Sequence, residues 1–126
     1  MPVKAIILAK KRSDLTQEQF RKQYDDHVAF GVKNFGHLWL SYKRNFLGPA
    51  TCLEAAWTAG EVQTEAPYDV VAELVLKDMS AFEEQGRITE ERGLAPFIVE
   101  DEKRTFDRAA TCIMISEVVE TEIPQG

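Results

Sequence analysis

Metal- and disulfide-forming residues are scarce in this chain, which holds two cysteines and two histidines among 126 residues. Cys52 and Cys112 form no Cys-x-x-Cys pair and no His-rich tract accompanies them, so neither a zinc site nor a disulfide scaffold is indicated. No metal is expected, and each thiol reads as a small buried hydrophobe kept reduced. Long apolar runs are missing too. None approaches the roughly 18 residues a membrane span needs, and Val3 to Ala9 is too short for a secretory signal with its cleavage site. The protein is therefore expected in the cytoplasm, away from membranes. Positive charge is in deficit, with 15 Lys and Arg against 21 Asp and Glu and a formal net charge of −6. Nucleic acid is a poor partner for such a surface, because phosphate binding needs concentrated positive charge. There is no phosphate-binding Gly loop, no dinucleotide fingerprint, no Gly-x-Ser-x-Gly elbow and no His-Glu-x-x-His. NAD, ATP and zinc chemistry lose their usual sequence support, and no cofactor is expected.

What remains is an ordinary globular composition, 44% hydrophobic and 29% charged with 7 Gly and 5 Pro. It suits one domain spanning residues 1–126. Val3 to Lys10 reads as a buried strand from its Ile and Val content. Thr16 opens a capping box with Gln19, and the helix that follows carries Phe20, Tyr24, His27 and Gly31 on one stripe. That helix is expected to stop near Gly31, with a loop over Lys33 to His37. Leu38 to Phe46 alternates as a second strand, with Leu38, Leu40, Tyr42, Arg44 and Phe46 on one side and Trp39, Ser41, Lys43 and Asn45 on the other. Gly48-Pro49 ends it. The aperiodic stretch from Ala50 to Pro67 is long for a small domain and is expected to be a lid or a partner contact.

Asp69 to Lys77 is a third strand, and Ser80 to Glu83 forms a second capping box before a second helix. Pro96 opens a helical segment through Phe106, and Thr111 to Glu120 ends the chain's regular structure as a fourth strand. The order strand, helix, strand, strand, helix, strand predicts an α+β, ferredoxin-like βαββαβ sandwich, with an antiparallel sheet and both helices on one face. The first and last strands are apolar on both sides, so the other face also needs covering. Two such sheets packed face to face make a homodimer, a dimeric α/β barrel.

Several blocks give the chain a resemblance to the EthD family of small dimeric α/β-barrel proteins. They are Asp14-Leu15-Thr16 leading into Glu18-Gln19-Phe20, then Tyr24 and His27, Tyr42-Lys43-Arg44-Asn45, Tyr68 to Leu74, and Asp101-Glu102 followed by Phe106-Asp107. Ala29 stands where members often carry a proline, two residues after the helical histidine. The resemblance implies a cofactor-independent enzyme or an accessory protein of ether or aromatic catabolism or of polyketide biosynthesis. Related barrels isomerise, decarboxylate, dehydrate, cleave or oxygenate small hydrophobic molecules, and fold alone selects none of these.

Chemistry narrows the candidates. His27 can take and return a proton near neutral pH, and on the inward stripe it is either a general acid–base or a hydrogen-bonded structural residue. His37, in the loop, is expected to be exposed. Tyr42 can donate to a developing oxyanion or enolate, or pack with a wet tip. Glu73 is an acid inside Val-Val-Ala-Glu-Leu-Val-Leu and must be paired, hydrated or functional. Strand parity points it away from His27, toward the barrel side. Trp39, Phe46, Trp57 and Tyr24 are candidate walls for an aromatic ligand, and Arg44 can hold a substrate carboxylate or pair with an acid. Lys10-Lys11-Arg12 and Asp101-Glu102-Lys103-Arg104 read as solvated faces. The expected activity is a cofactor-independent lyase or isomerase on a small aromatic or polyketide-like molecule. The alternatives are a non-catalytic ligand-binding or accessory protein, and a cofactor-free monooxygenase.

Overall fold

The computed structural model describes residues 1–56 and 63–126. Its elements are β1 (Val3–Ala9), α1 (Gln17–Phe35), a 3-10 turn (Gly36–Leu38), β2 (Trp39–Phe46), β3 (Val70–Leu76), α2 (Met79–Glu91), α3 (Ala95–Thr105) and β4 (Cys112–Ser116). The four strands form one antiparallel sheet in the order β2-β3-β1-β4. This is the ferredoxin-like arrangement, with the helices on a single face.

The sheet's two faces follow from the period-2 alternation of its strands. In β3 every even-numbered residue, Val70, Ala72, Leu74 and Leu76, is buried on the helix side. Opposite them in β1 lie Ala9, Ile7, Ala5 and Val3. The small side chains of Ala5 and Ala9 let α1 and its aromatic residues approach. Phe20 and Tyr24 are fully buried there, packed against Phe106 and Phe46 with ring centroids 5.0–6.4 Å apart. Truncating Phe20 to Ala removes this centre and costs about 3–5 kcal/mol.

The capping box at the start of α1 forms as its sequence requires. Gln19 N–H donates to Thr16 Oγ1 at 3.1 Å and Thr16 N–H donates to Gln19 Oε1 at 2.9 Å. The other end differs from expectation, since α1 runs through Gly31 to Phe35. Gly31 is there for close approach rather than termination. A Cβ on it would lie 2.5 Å from Cη2 of Trp39. The ring of Trp39 thus occupies the space that any other residue at position 31 would fill.

Two further boundaries move, and one strand changes register. α2 begins at Met79, capped by Asp78, whose Oδ1 accepts from Ala81 N–H at 2.7 Å. The carboxylate captures the cap two residues before Ser80, the start signal read from the sequence. β4 is confined to Cys112–Ser116 because β1 offers it partners only from Lys4 to Leu8. In β2 a register irregularity between Trp39 and Ser41 breaks the simple alternation, so Trp39 shares the helix-side face with Tyr42, Arg44 and Phe46. Both cysteines are unpaired, but they are exposed rather than buried. Cys112 belongs to an edge strand that no second layer covers among the described residues.

Candidate functional site

Between the helix side of the sheet and the three helices lies a cavity of about 330 Å³. Its walls are largely apolar, from Ile7, Leu74 and Ile113 on the sheet to Val28, Phe35 and Ile98 on the helices. Polar side chains enter it from α1 (His27, Tyr24), β2 (Tyr42), α2 (Gln85), and α3 with the segment after it (Glu102, Arg108). Such a volume, apolar with a few convergent polar groups, suits a small ring system.

His27 stands on the cavity wall, three residues after Tyr24 on the same helical stripe. Its Nδ1 is hydrogen-bonded to Oδ2 of Asp101 on α3. The Asp101 side chain is only 12% exposed, so the carboxylate has lost most of its water and depends on the imidazole and on Arg104, whose Nη2 donates to Oδ1 at 2.9 Å. With Nδ1 engaged by a carboxylate, Nε2 is the nitrogen left for other chemistry. The rings of Tyr24 and Phe106 pack edge-on against the imidazole at 6.0 and 5.4 Å and restrict its rotation.

The second polar centre is a pair of phenols. The hydroxyls of Tyr24 and Tyr42 lie 2.9 Å apart. Tyr24 is fully buried, and its hydroxyl has no other partner among the described residues. Its proton therefore goes to the Tyr42 oxygen, because the reverse orientation would strand a buried donor. The Tyr42 proton is left free for a ligand. Burial raises both phenols above the ordinary tyrosine pKa, with the Arg44 charge opposing in each case. Both are neutral hydrogen-bonding groups at physiological pH.

The remaining residues singled out from the sequence divide. Trp39 lines the cavity, its ring 5.7 Å from that of Tyr42 and its Nε1 donating to Gln85 Oε1 at 2.7 Å. Phe46 and Arg44 share the helix-side face but lie outside the cavity wall. Phe46 packs on Phe20 and Tyr24 beneath the Arg21 guanidinium. Arg44 is committed to Asp25, with Nη1 2.7 Å from Oδ1, though the approach is off the line a hydrogen bond needs. Glu73 is on the opposite face, as parity indicated, where it accepts from Lys4 Nζ at 2.9 Å and from Asn45 at 3.2 Å. These partners hold its carboxyl below the usual carboxylate range. It cannot reach His27 through the sheet. His37 is exposed, and Trp57 lies outside the described residues.

Two residues of the site were not picked out as functional from the sequence. Asp101 belongs to a tetrad read as a solvated face, yet it is buried and joined to His27, a correction that follows from helical phase. Ile98, Asp101 and Thr105 fall on one stripe of α3, and Thr105 is fully buried. Gln85 sits likewise between Ala81 and Ile88, the buried residues of α2. An inward polar residue on each stripe was the available signal.

The fold and site define a small ferredoxin-like α+β protein with a half-open, mainly apolar cavity and a His–Asp pair on its wall. The EthD domain model matches residues 12–109, and the chain belongs to the EthD family. Curated protein sequences contain no match to it. Among solved structures it is similar to an ethyl tert-butyl ether d (EthD) family protein from Bacillus halodurans, at 18% identity and a TM-score of 0.57, covering 94% of this chain and 100% of that one. It is also similar to the Arabidopsis thaliana protein At3g17210, at 12% identity and a TM-score of 0.57, covering 96% and 99%. A hydroxynitrile lyase from Passiflora edulis aligns at 16% identity with a TM-score of 0.49, covering 97% of both chains. At these identities the first two structures establish the shared fold.

Proposed function

We propose that the protein is a cofactor-independent lyase or isomerase, of the decarboxylase, dehydratase or tautomerase kind, that acts in the cytoplasm on a small aromatic or polyketide-like molecule. The observation that carries this reading is the engagement of His27 Nδ1 by Asp101 at the wall of an apolar cavity that Tyr42 also enters. A carboxylate on Nδ1 fixes the tautomer with the proton there, leaves Nε2 as the base, and stabilises the imidazolium once a proton has been taken. Arg104 holds Asp101 turned toward the ring.

In the proposed step, Nε2 removes a proton from carbon next to a carbonyl, and the electron pair moves onto the carbonyl oxygen as an enolate. The Tyr42 hydroxyl donates to that oxygen. The imidazolium then returns the proton, to carbon in an isomerisation or to a departing oxygen in an elimination. Tyr24 serves by occupying the Tyr42 acceptor site and thereby aiming its proton. Glu73 and Arg44, each already paired, and Phe46, packed in the core, have no part in this step.

The same reading includes a homodimer. On the face away from the helices, Ile6, Leu8, Val71, Val75 and Met114 form an apolar surface around the Lys4–Glu73 ion pair, and no described segment of this chain covers it. A second sheet would bury it.

The test uses 1-tetralone, a bicyclic aryl ketone that fits the cavity's dimensions, in deuterated water. The wild-type protein is expected to exchange the protons next to the carbonyl, followed by NMR without added cofactor, and His27→Gln to lose that exchange. Binding without any exchange by the wild type would favour the accessory, non-catalytic reading. Equal exchange in His27→Gln would remove His27 from the mechanism.

A further inference from the structure

We infer that Gln85 is a specificity-determining residue which binds an oxygen acceptor on the substrate at the Trp39 side of the cavity. The inference rests on the ligand-binding reading of the cavity and adds a second oxygen on the substrate.

The amide orientation of Gln85 is decided by its neighbour. An indole N–H can only donate, so the atom 2.7 Å from Trp39 Nε1 must be the Gln85 carbonyl oxygen. The amide nitrogen is thereby turned away from the indole. Its two N–H groups have no hydrogen-bond partner among the described residues, and Gln85 lines the cavity. Trp39 is itself immobilised. Its ring is seated on Gly31, with Phe35 on one side and Tyr42 on the other, at centroid distances of 6.3 and 5.7 Å. The result is a donor of fixed direction beside an aromatic wall, in a cavity otherwise lined there by Phe35, Leu74 and Ile98.

The donor is offset from the proposed reacting centre. His27 lines the cavity one helical turn before Gly31, where the Trp39 ring meets α1, about 6 Å along the axis. The Trp39 ring also adjoins Tyr42, at 5.7 Å between centroids, and Gln85 is hydrogen-bonded to its Nε1. With the reacting carbonyl held by Tyr42, the oxygen that accepts from Gln85 is a second one, on the part of the substrate that lies along the Trp39 ring. The substrate class is a bicyclic or larger aromatic ketone with a second oxygen. A purely hydrocarbon ring seated there would displace water from the partly buried Gln85 N–H groups without replacing its hydrogen bonds.

The test compares 6-methoxy-1-tetralone with 6-ethyl-1-tetralone, which differ by an oxygen in place of a methylene, through their dissociation constants measured by tryptophan fluorescence. The wild type is expected to prefer the methoxy compound roughly 2- to 10-fold, the range of one neutral hydrogen bond, against the greater hydrophobicity of the ethyl group. Gln85→Glu keeps an acceptor for the Trp39 indole but replaces the donor with a carboxylate oxygen, and is expected to reverse the preference. Gln85→Leu removes both interactions and is expected to favour the ethyl compound as well. Equal or tighter binding of the ethyl compound by the wild type, or an unchanged ratio in Gln85→Glu, overturns the inference while leaving the His27 exchange result standing. Failure of either compound to bind the wild type overturns the inference together with the cavity reading.

Discussion

Asp101 and His27 are 74 residues apart in the chain, and their side chains meet at the Asp101 Oδ2 and His27 Nδ1 atoms. This contact ties α3 to α1 at the cavity wall. It converts an imidazole on a helical stripe into one with a set tautomer and a set direction.

The pair acting as a unit predicts a graded response. On a turnover assay His27→Gln is expected to lose about 10²–10⁴-fold, the usual worth of positioned acid–base catalysis. Asp101→Asn is expected to lose turnover as well, by a smaller factor, because an amide fixes neither the tautomer nor the charge. Thermal unfolding supplies the control. If His27 were only structural, its replacement would cost about 1–3 kcal/mol of stability with turnover per folded molecule unchanged.

The phenol pair predicts an alkaline limit. Both phenols have folded-state pKa values raised above the ordinary one by burial. A group with a raised folded pKa gives its full stabilisation below its unfolded pKa, about 10 for tyrosine, and loses it as pH climbs beyond that. Absorbance of phenolate from Tyr24 and Tyr42 should therefore appear together with the loss of far-UV circular dichroism. Ionisation of both near pH ~10 with the fold intact would contradict their burial.

Gly31→Ala is expected to disturb the cavity more than the helix. A methyl group gains about 0.5–1 kcal/mol of helical preference over glycine. It also lies 2.5 Å from the Trp39 ring carbon, so the ring must shift, and overpacking of this kind costs about 1–3 kcal/mol. A small net change in melting temperature should accompany a change in Trp39 fluorescence and weaker binding of aryl ketones. Unchanged affinity would mean that Trp39 does not shape the ligand site.

The bare sheet face predicts self-association. Sedimentation at micromolar concentration is expected to show a dimer, and Ile6→Glu, which puts an unpaired carboxylate beside Glu73 on this face, a monomer. A monomeric wild type would leave that face without its proposed partner.

Glu73→Gln probes the far side of the sheet. The carboxyl of Glu73 is held low by its hydrogen bonds from Lys4 and Asn45 and by the Lys4 charge, so its stabilisation is present above the unfolded carboxylate pKa and fades as pH falls through the folded one. The variant is expected to soften the acid limb of the stability profile while turnover holds. A large loss of turnover would contradict its separation from His27.

Local information in the sequence determined the elements and their order. Alternation in residues 70–76, the Thr16–Gln19 capping box and Pro96 at a helix start act over a few residues, and each produced the structure it implies. The parity that sent Glu73 to the far face is of the same kind. The inward positions of His27 and Tyr24 also followed from a spacing of three. Where local signals competed, neighbours decided. Gly31 has a glycine's tolerance for a helix end but lies mid-helix, because only a residue without Cβ admits the Trp39 ring. Asp78 took the cap that Ser80 also offered, and a register irregularity carried Trp39 to the face of Tyr42.

Tertiary structure alone decided the site. Asp101 and Gln85 are polar residues on helices, and only their place on an otherwise inward stripe distinguishes them from solvated neighbours. Their roles come from the phase of α3 and α2 against the sheet, which depends on how all three helices pack over Ala5, Ala9 and Leu74. Arg44 and Phe46 show the converse, since strand alternation placed them on the helix-side face but could not say that Asp25 and Phe20 would occupy them. A side chain's facing is a property of its own strand or helix. Its partner is a property of the packed core, where desolvation makes a hydrogen bond between distant residues worth forming.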